Sequence, residues 1–220
     1  MRLIDISQPL GSGTAVWPGD RPVSMEWTLR RRDGDSVNVA AVSLSVHAGT
    51  HADGTLHVDD DGVGAGSLPL AAFVGPAVVV DARGREELAT DTLDGVDLDG
   101  VPRVLFRTRE RTEPGVFPER FAALSTPLAR RLVQMGMVLV GTDAPSVDPV
   151  DSTALEAHRI LAAGGVVNVE NLVLDGVAPG RYTFIGLPLR LVDADSAPLR
   201  AVLVADERGA GNVRSGKREA

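Results

Sequence analysis

Cysteine is absent from the 220 residues, and lysine occurs once, at Lys217. The first absence excludes disulfides and thiolate metal sites, so any bound metal must rest on nitrogen and oxygen donors. The second removes the P-loop lysine and the Schiff-base lysine, and with them two large groups of enzymes. No apolar run approaches the roughly 20 residues that span a bilayer, and "MRLIDISQPL" lacks the apolar stretch of a secretory signal. A cytoplasmic location is therefore expected. Positive charge is also scarce: 22 Lys and Arg stand against 30 Asp and Glu, a formal charge of −8. That balance repels nucleic-acid phosphates and anionic membrane surfaces, so neither is expected as a partner.

What remains suits one folded domain. The length and the 44% hydrophobic content are enough to bury a sizeable core. "TAVWPGD" (14–20) reads as an extended piece ending in a Pro-Gly turn, with Trp17 at its tip. In "SVNVAAVSLSV" (36–46), Val42, Leu44 and Val46 alternate with serines, as in a half-buried strand. Further strands are expected in "GPAVVVDARG" (75–84), "VPRVLFRT" (101–108), "MVLVGTD" (137–143) and "VVNVEN" (166–171), and the last two in "YTFIGLPLRLV" and "LRAVLVAD". "STPLARRLVQMG" (125–136) carries a Ser/Thr cap, Pro127 in its first turn and Gly136 as a stop. "TALEAHRILAAGG" is a second helix, with Thr153 and Glu156 spaced as a capping box. Helices lying between more numerous strands predict one mixed α/β domain over residues 1–206, followed by a polar, glycine-bearing tail over 207–220.

Three of the four histidines fall in "VHAGTHADGTLH" (46–57). Two glycines and no apolar stripe make this stretch a loop, beginning at a strand end. His51 and Asp53, two apart, share a face in extended backbone, and Gly49 lets His47 bend toward them. Imidazole and carboxylate suit Zn²⁺, Mn²⁺ or Fe²⁺, and three such ligands leave positions open for water, as in a catalytic site. His57 is placed to ligate or to transfer protons. A solvated loop with imidazoles satisfied by carbonyls is the plain alternative. On the second helix His158 shares the inward face with Leu155 and Ala162, and Glu170 ends an apolar strand; a cation would compensate both. Equally, Glu170 could meet an arginine and His158 a backbone carbonyl.

"HAGTHADGTLH" resembles the His-x-Gly-Thr-His-x-Asp-x-Pro-x-His signature of the metal-dependent cyclase-like hydrolases. "DISQPL", "VWPGD", "GTDAPSVDP", "LEAHRIL", "ENLVLDGVAPGRYTFIGLPLRL" and "PLRAVL" are similar to the kynurenine formamidase (arylformamidase) branch, in the same order. The resemblance implies a swivelling β/β/α domain with a mixed sheet and few helices, as a homodimer. It implies one zinc on His47, His51 and Asp53, with Asp53 bridging to a second metal on His158 and Glu170; manganese is the other candidate. His57 would be the acid/base, and Trp17 would stack on an aryl formamide substrate. Such an enzyme hydrolyses N-formyl-L-kynurenine to L-kynurenine and formate, in tryptophan breakdown. Thr55 stands where the signature has proline, which loosens the turn before His57 but removes no ligand. Two alternatives remain: a cyclic-amide or lactone hydrolase of the isatin-hydrolase kind, and an Fe(II)/2-oxoglutarate oxygenase using His51, Asp53 and His158. The latter leaves His47 and His57 idle and expects a mostly β barrel.

Overall fold

The run of three valines at 78–80 buries alternate side chains on opposite sides of one strand, so both faces of the sheet must be covered. Val78 and Val80 join one core, Ala77 and Val79 the other. A computed structural model describes residues 1–205. The early strands are β1 (Arg2–Asp5), β2 (Ser24–Leu29), β3 (Val39–Ser43), β4 (His51–Asp53) and β5 (Val74–Asp81). Then come β6 (Glu87–Leu88), β7 (Arg103–Arg107), β8 (Ala123–Leu124), β9 (Leu139–Thr142) and β10 (Val167–Glu170). The chain closes with β11 (Gly180–Ile185), β12 (Ser196–Pro198) and β13 (Val202–Ala205). One nine-stranded sheet has the order β1-β13-β11-β5-β7-β9-β10-β4-β12. Its centre, β5-β7-β9-β10, is parallel, and its flanking pairings are antiparallel. This is the expected mixed α/β architecture, and its parallel centre is not the barrel of an oxygenase.

Two α-helices cover one face. In α1 (Thr126–Gln134) the Ser125 hydroxyl accepts the Leu128 N–H at 3.3 Å, and Leu128, Ala129 and Leu132 are buried against the sheet. The second, α2 (Glu156–Ala163), corrects the capping-box expectation. Its first turn is capped by a remote carboxylate: Asp148 accepts the N–H groups of Ala157 (2.9 Å) and His158 (3.0 Å), while Leu155 stands at φ 48° just before it. Thr153 takes no part in the cap because Leu155, not Thr153, occupies the N-cap position.

Three further expectations change. His51–Asp53 is not loop but a short, buried strand, held by β10 on one side and β12 on the other. Val42 is not half-buried: β2 and β3 form a separate ribbon, and Val42 is 56% exposed together with Met25 and Trp27. "YTFIGLPLRLV" is strand only as far as Ile185. The expected domain boundary after residue 206 and the polar tail lie outside the described residues. Among those described, no helix is long and apolar enough to cross a membrane.

Candidate metal centre

The backbone reverses between His47 and His51 at Gly49, whose φ is 63°. A Cβ there would also come within 2.6 Å of the Leu10 side chain, so glycine suits the position twice over. The reversal feeds β4, whose pleat sends His51 and Asp53 to one face. Antiparallel register sets His51 beside Glu170 of β10, and the first turn of α2 brings in His158.

Each imidazole is oriented by a group that can only accept. His51 Nδ1 lies 2.8 Å from the Gly49 carbonyl, and His158 Nδ1 lies 2.6 Å from Asp148 Oδ2. His47 Nε2 and His57 Nδ1 meet the same oxygen, Asp195 Oδ2, at 2.8 and 3.1 Å. These nitrogens therefore carry protons, and the opposite nitrogens of His47, His51 and His158, the ones a metal would take, point inward. They face more acceptors. His47 Nδ1 is 3.2 Å and His51 Nε2 3.6 Å from Asp53 Oδ1. His158 Nε2 is 3.5 Å from Asp53 Oδ2 and 3.1 Å from Glu170 Oε1, and His51 Nε2 is 3.4 Å from Glu170 Oε2. Two ligands at about 2.0–2.1 Å on a tetrahedral ion stand roughly 3.3–3.4 Å apart, which is the spacing seen here.

Among the described residues, the buried His51 Nε2 and Asp53 Oδ1 have no hydrogen-bond partner. Orphaned atoms of this kind are costly unless a cation takes both. The donors fit a divalent metal. His47, His51 and Asp53 offer one ligand atom each within 4.8 Å of one another, and so do Asp53, His57 and His158. Asp53 thus presents one oxygen to each half of the cluster.

Without a cation, charge within the cluster does the balancing. Burial opposes protonation of His47, but the adjacent carboxylates of Asp53 and Asp195 outweigh it and lift the imidazole to about 9. Burial likewise works against a charged His158, yet Asp148, Asp53 and Glu170 raise it well above 6.5. Glu170 falls to about 2 although burial and Asp53 push it upward, because His158 and His51 hold its charge. Asp53 moves well below its usual range against burial, through His158, His47 and His51.

The sequence reading gathered the five donors but missed their supports. Asn168 Nδ2 donates to Asp53 Oδ2 (2.7 Å) and Glu170 Oε1 (3.2 Å), and the Val147 N–H donates to Glu170 Oε1 (2.9 Å). Among the described residues no arginine meets Glu170, and His158 is held by a carboxylate rather than a carbonyl. An asparagine inside the apolar "VVNVEN" was a readable signal. Asp148 and Asp195 carried none, being two among 30 acidic residues. Thr55 repairs part of what the absent proline would have given: its hydroxyl accepts the Val63 N–H at 2.8 Å and ties down the turn that carries His57.

The cluster opens into a cavity of about 350 Å³. His47, His51, His57, His158 and Glu170 line one part of it, and Trp17 and Phe117, edge to face at 5.2 Å, line another. Trp17 is thus a wall of this cavity, as well as the tip of its own turn.

A family model described as "Putative cyclase" matches residues 4–149. The kynurenine formamidase of Salinibacter ruber is 47% identical over 206 residues, 92% of this chain and 97% of that protein. A solved structure described as a potential metal-dependent hydrolase with cyclase activity superposes with a TM-score of 0.79 at 28% identity, covering 92% of this chain and 96% of the other. Isatin hydrolase A of Labrenzia aggregata, bound to benzyl benzoate, superposes at 0.77 and 21% identity over 93% and 94% of the two chains, which speaks for the fold alone.

Proposed function

The chain belongs to the cyclase family, and on that footing we propose that it is a metal-dependent formamidase that hydrolyses N-formyl-L-kynurenine to L-kynurenine and formate. The observation that carries this reading is the inward convergence of three imidazole nitrogens on Asp53 and Glu170, two of those donor atoms having no partner among the described residues, at the end of an aromatic-walled cavity. Two divalent cations, zinc for this nitrogen and oxygen set, held by His47, His51 and Asp53 and by Asp53, His158 and Glu170, would acidify water and polarise the formyl oxygen.

The remaining work falls to side chains. His57 Nδ1–H is held by Asp195, so its Nε2 is the basic atom, on a ring that lines the cavity. It accepts a proton from the attacking water and returns it to the aniline nitrogen as the C–N bond breaks, since that nitrogen leaves poorly as an anion. Asp195 binds His47 as well, so one carboxylate fixes both a ligand and the proton carrier. Trp17 and Phe117 pack on the aryl ring and keep water from its faces.

The protein works as a homodimer. A lone two-stranded ribbon is marginally stable in water, and β2–β3 exposes Met25, Trp27, Leu29, Val39 and Val42. A second copy covering that ribbon would bury these side chains.

The test is turnover of N-formyl-L-kynurenine, isatin and a dienelactone by the zinc- and manganese-loaded protein, with the metal content measured. Kynurenine should form, and activity should vanish on chelation and return with metal. Preferential opening of isatin would replace the formamidase with a cyclic-amide hydrolase, and full activity after verified metal removal would refute both.

A further inference from the structure

Arg109 is a second unsatisfied group in the same cavity, far from the metal donors in chemistry. It follows β7, and its backbone N–H donates to Asp143 Oδ2 at 3.1 Å, fixing where the side chain starts. Its guanidinium makes no hydrogen bond or ion pair among the described residues, and its Nη2 is buried without a partner. The neighbouring carboxylates do not need it. Asp143 is held by the Thr108 N–H and hydroxyl, and Asp175 by the Thr112 N–H and hydroxyl at 2.9–3.0 Å. A half-buried cation with five donors and no acceptor among the described residues is well matched to an anionic visitor.

Its position says what that something is. Arg109, Glu113, Val116 and Pro118 line both the cavity and the open groove beside it, so they form the rim between the two. Four of the five metal donors, His47, His51, His158 and Glu170, line the cavity and none of the five lines the groove, and the Trp17–Phe117 pair belongs to the cavity as well. Asp20 and Glu113 add carboxylates to the same lining. Positive and negative groups at the rim, with an aromatic wall within, match a ligand with an apolar ring and a zwitterionic tail.

We propose that Arg109 is the receptor for the α-carboxylate of an aryl formamide bearing an amino-acid tail, with Asp20 and Glu113 taking its α-ammonium. This rests on the formamidase reading and adds the determinant that selects its substrate. The assignment also solves a problem of orientation. A free carboxylate is itself a good metal ligand, so a substrate carrying one can bind backwards, acid on the cations. A planar guanidinium at the rim offers that carboxylate a bidentate partner and leaves the formyl group facing the cluster.

The experiment compares wild type, Arg109→Met and Arg109→Lys, metal-loaded, on N-formyl-L-kynurenine and on 2-formamidoacetophenone, which lacks the amino-acid tail. Since the guanidinium bonds to nothing in the described protein and the backbone N–H survives substitution, the variants should fold, which thermal melting checks. Arg109→Met should lose roughly 10- to 150-fold in kcat/KM on the tailed substrate, mostly through KM, the size of a hydrogen bond to a charged group. On the tail-less substrate the change should stay within about threefold, and Arg109→Lys should fall between, keeping charge without the fork. A parallel measurement needs no turnover: calorimetric binding of L-kynurenine should weaken by the same factor, with 2-aminoacetophenone little affected. Equal losses on both substrates, or no loss on the tailed one, would overturn the assignment. A wild type that hydrolyses neither formamide would sink the formamidase reading, and the two binding isotherms would still decide whether Arg109 reads a carboxylate.

Discussion

Stripping the metal should load the centre with protons, and loading the metal should expel them. His47 stands at about 9 in the metal-free protein, and His158 is raised well above 6.5. Both must give up the proton on their inward nitrogen to ligate. At pH 7.5 a group titrating near 9 is about 97% protonated, so zinc uptake should release close to one proton from His47, with a further contribution from the raised His158. Displacing the His47 proton at pH 7 costs about 2.7 kcal/mol of apparent affinity, two units at 1.36 kcal/mol each. Each apparent dissociation constant should therefore fall by up to about 10-fold per pH unit while the histidine of its own half remains protonated. Stability should show the opposite trend in the metal-free protein. Because the folded value of His47 lies above its unfolded 6.5, the associated stabilisation is complete below pH 6.5 and disappears as pH climbs through about 9. The metal-free melting temperature should drop across that window, and that of the zinc form should not. Calorimetric titration of zinc in buffers of different ionisation enthalpy counts the protons. A count near zero at pH 7.5, or an affinity flat from pH 6.5 to 8.5, would show that these imidazoles are not the ligands.

His57→Ala should keep its metal and lose on the order of 10²–10⁴ in kcat on the formamide. With an activated aryl formate ester, whose leaving group needs no proton, the deficit should shrink; loss of metal from this variant, by elemental analysis, would make His57 a ligand. Asp148→Asn leaves one acceptor oxygen where two now serve the Ala157 N–H, the His158 N–H and His158 Nδ1, and removes the charge that supports the His158 ring. Metal affinity at the His158 half should drop about 10–100-fold, giving one tightly held ion where wild type holds two, in a protein that still melts cooperatively. Trp27→Arg should weaken self-association in sedimentation experiments without changing the metal content, and a wild type that stays monomeric at tens of micromolar would remove the ribbon as its interface.

The proposed donors were legible because their spacing is local: His47, His51 and Asp53 lie within one turn and one strand, and His158 and Glu170 stand out as polar groups on apolar faces. Their supports were not. Asp195 reaches His47 and His57 only because β12 pairs with β4, a contact that no local pattern encodes. The helix at 156–163 was readable from its apolar stripe, but its cap was not, because Asp148 replaces a local hydroxyl from eight residues before the helix begins. Val42 misled for a related reason: alternation reports a face awaiting burial, and here that face is left open by the rest of the described chain.

The place of β4 in the sheet bears on how the molecule comes into being. It carries two of the proposed metal ligands, is made early, and is bonded on one side by β10 and on the other by β12, both of which are made late. During synthesis, then, His51 and Asp53 must emerge into water long before either neighbouring strand exists. Glu170 and His158 can join His51 and Asp53 once β10 forms, but Asp195, which orients His47 and His57, arrives only with β12, so the supported centre is complete only then. Zinc captured before β10 exists would be held by a flexible pair of side chains and readily lost, so tight retention marks a chain in which β4 has found both of its neighbours.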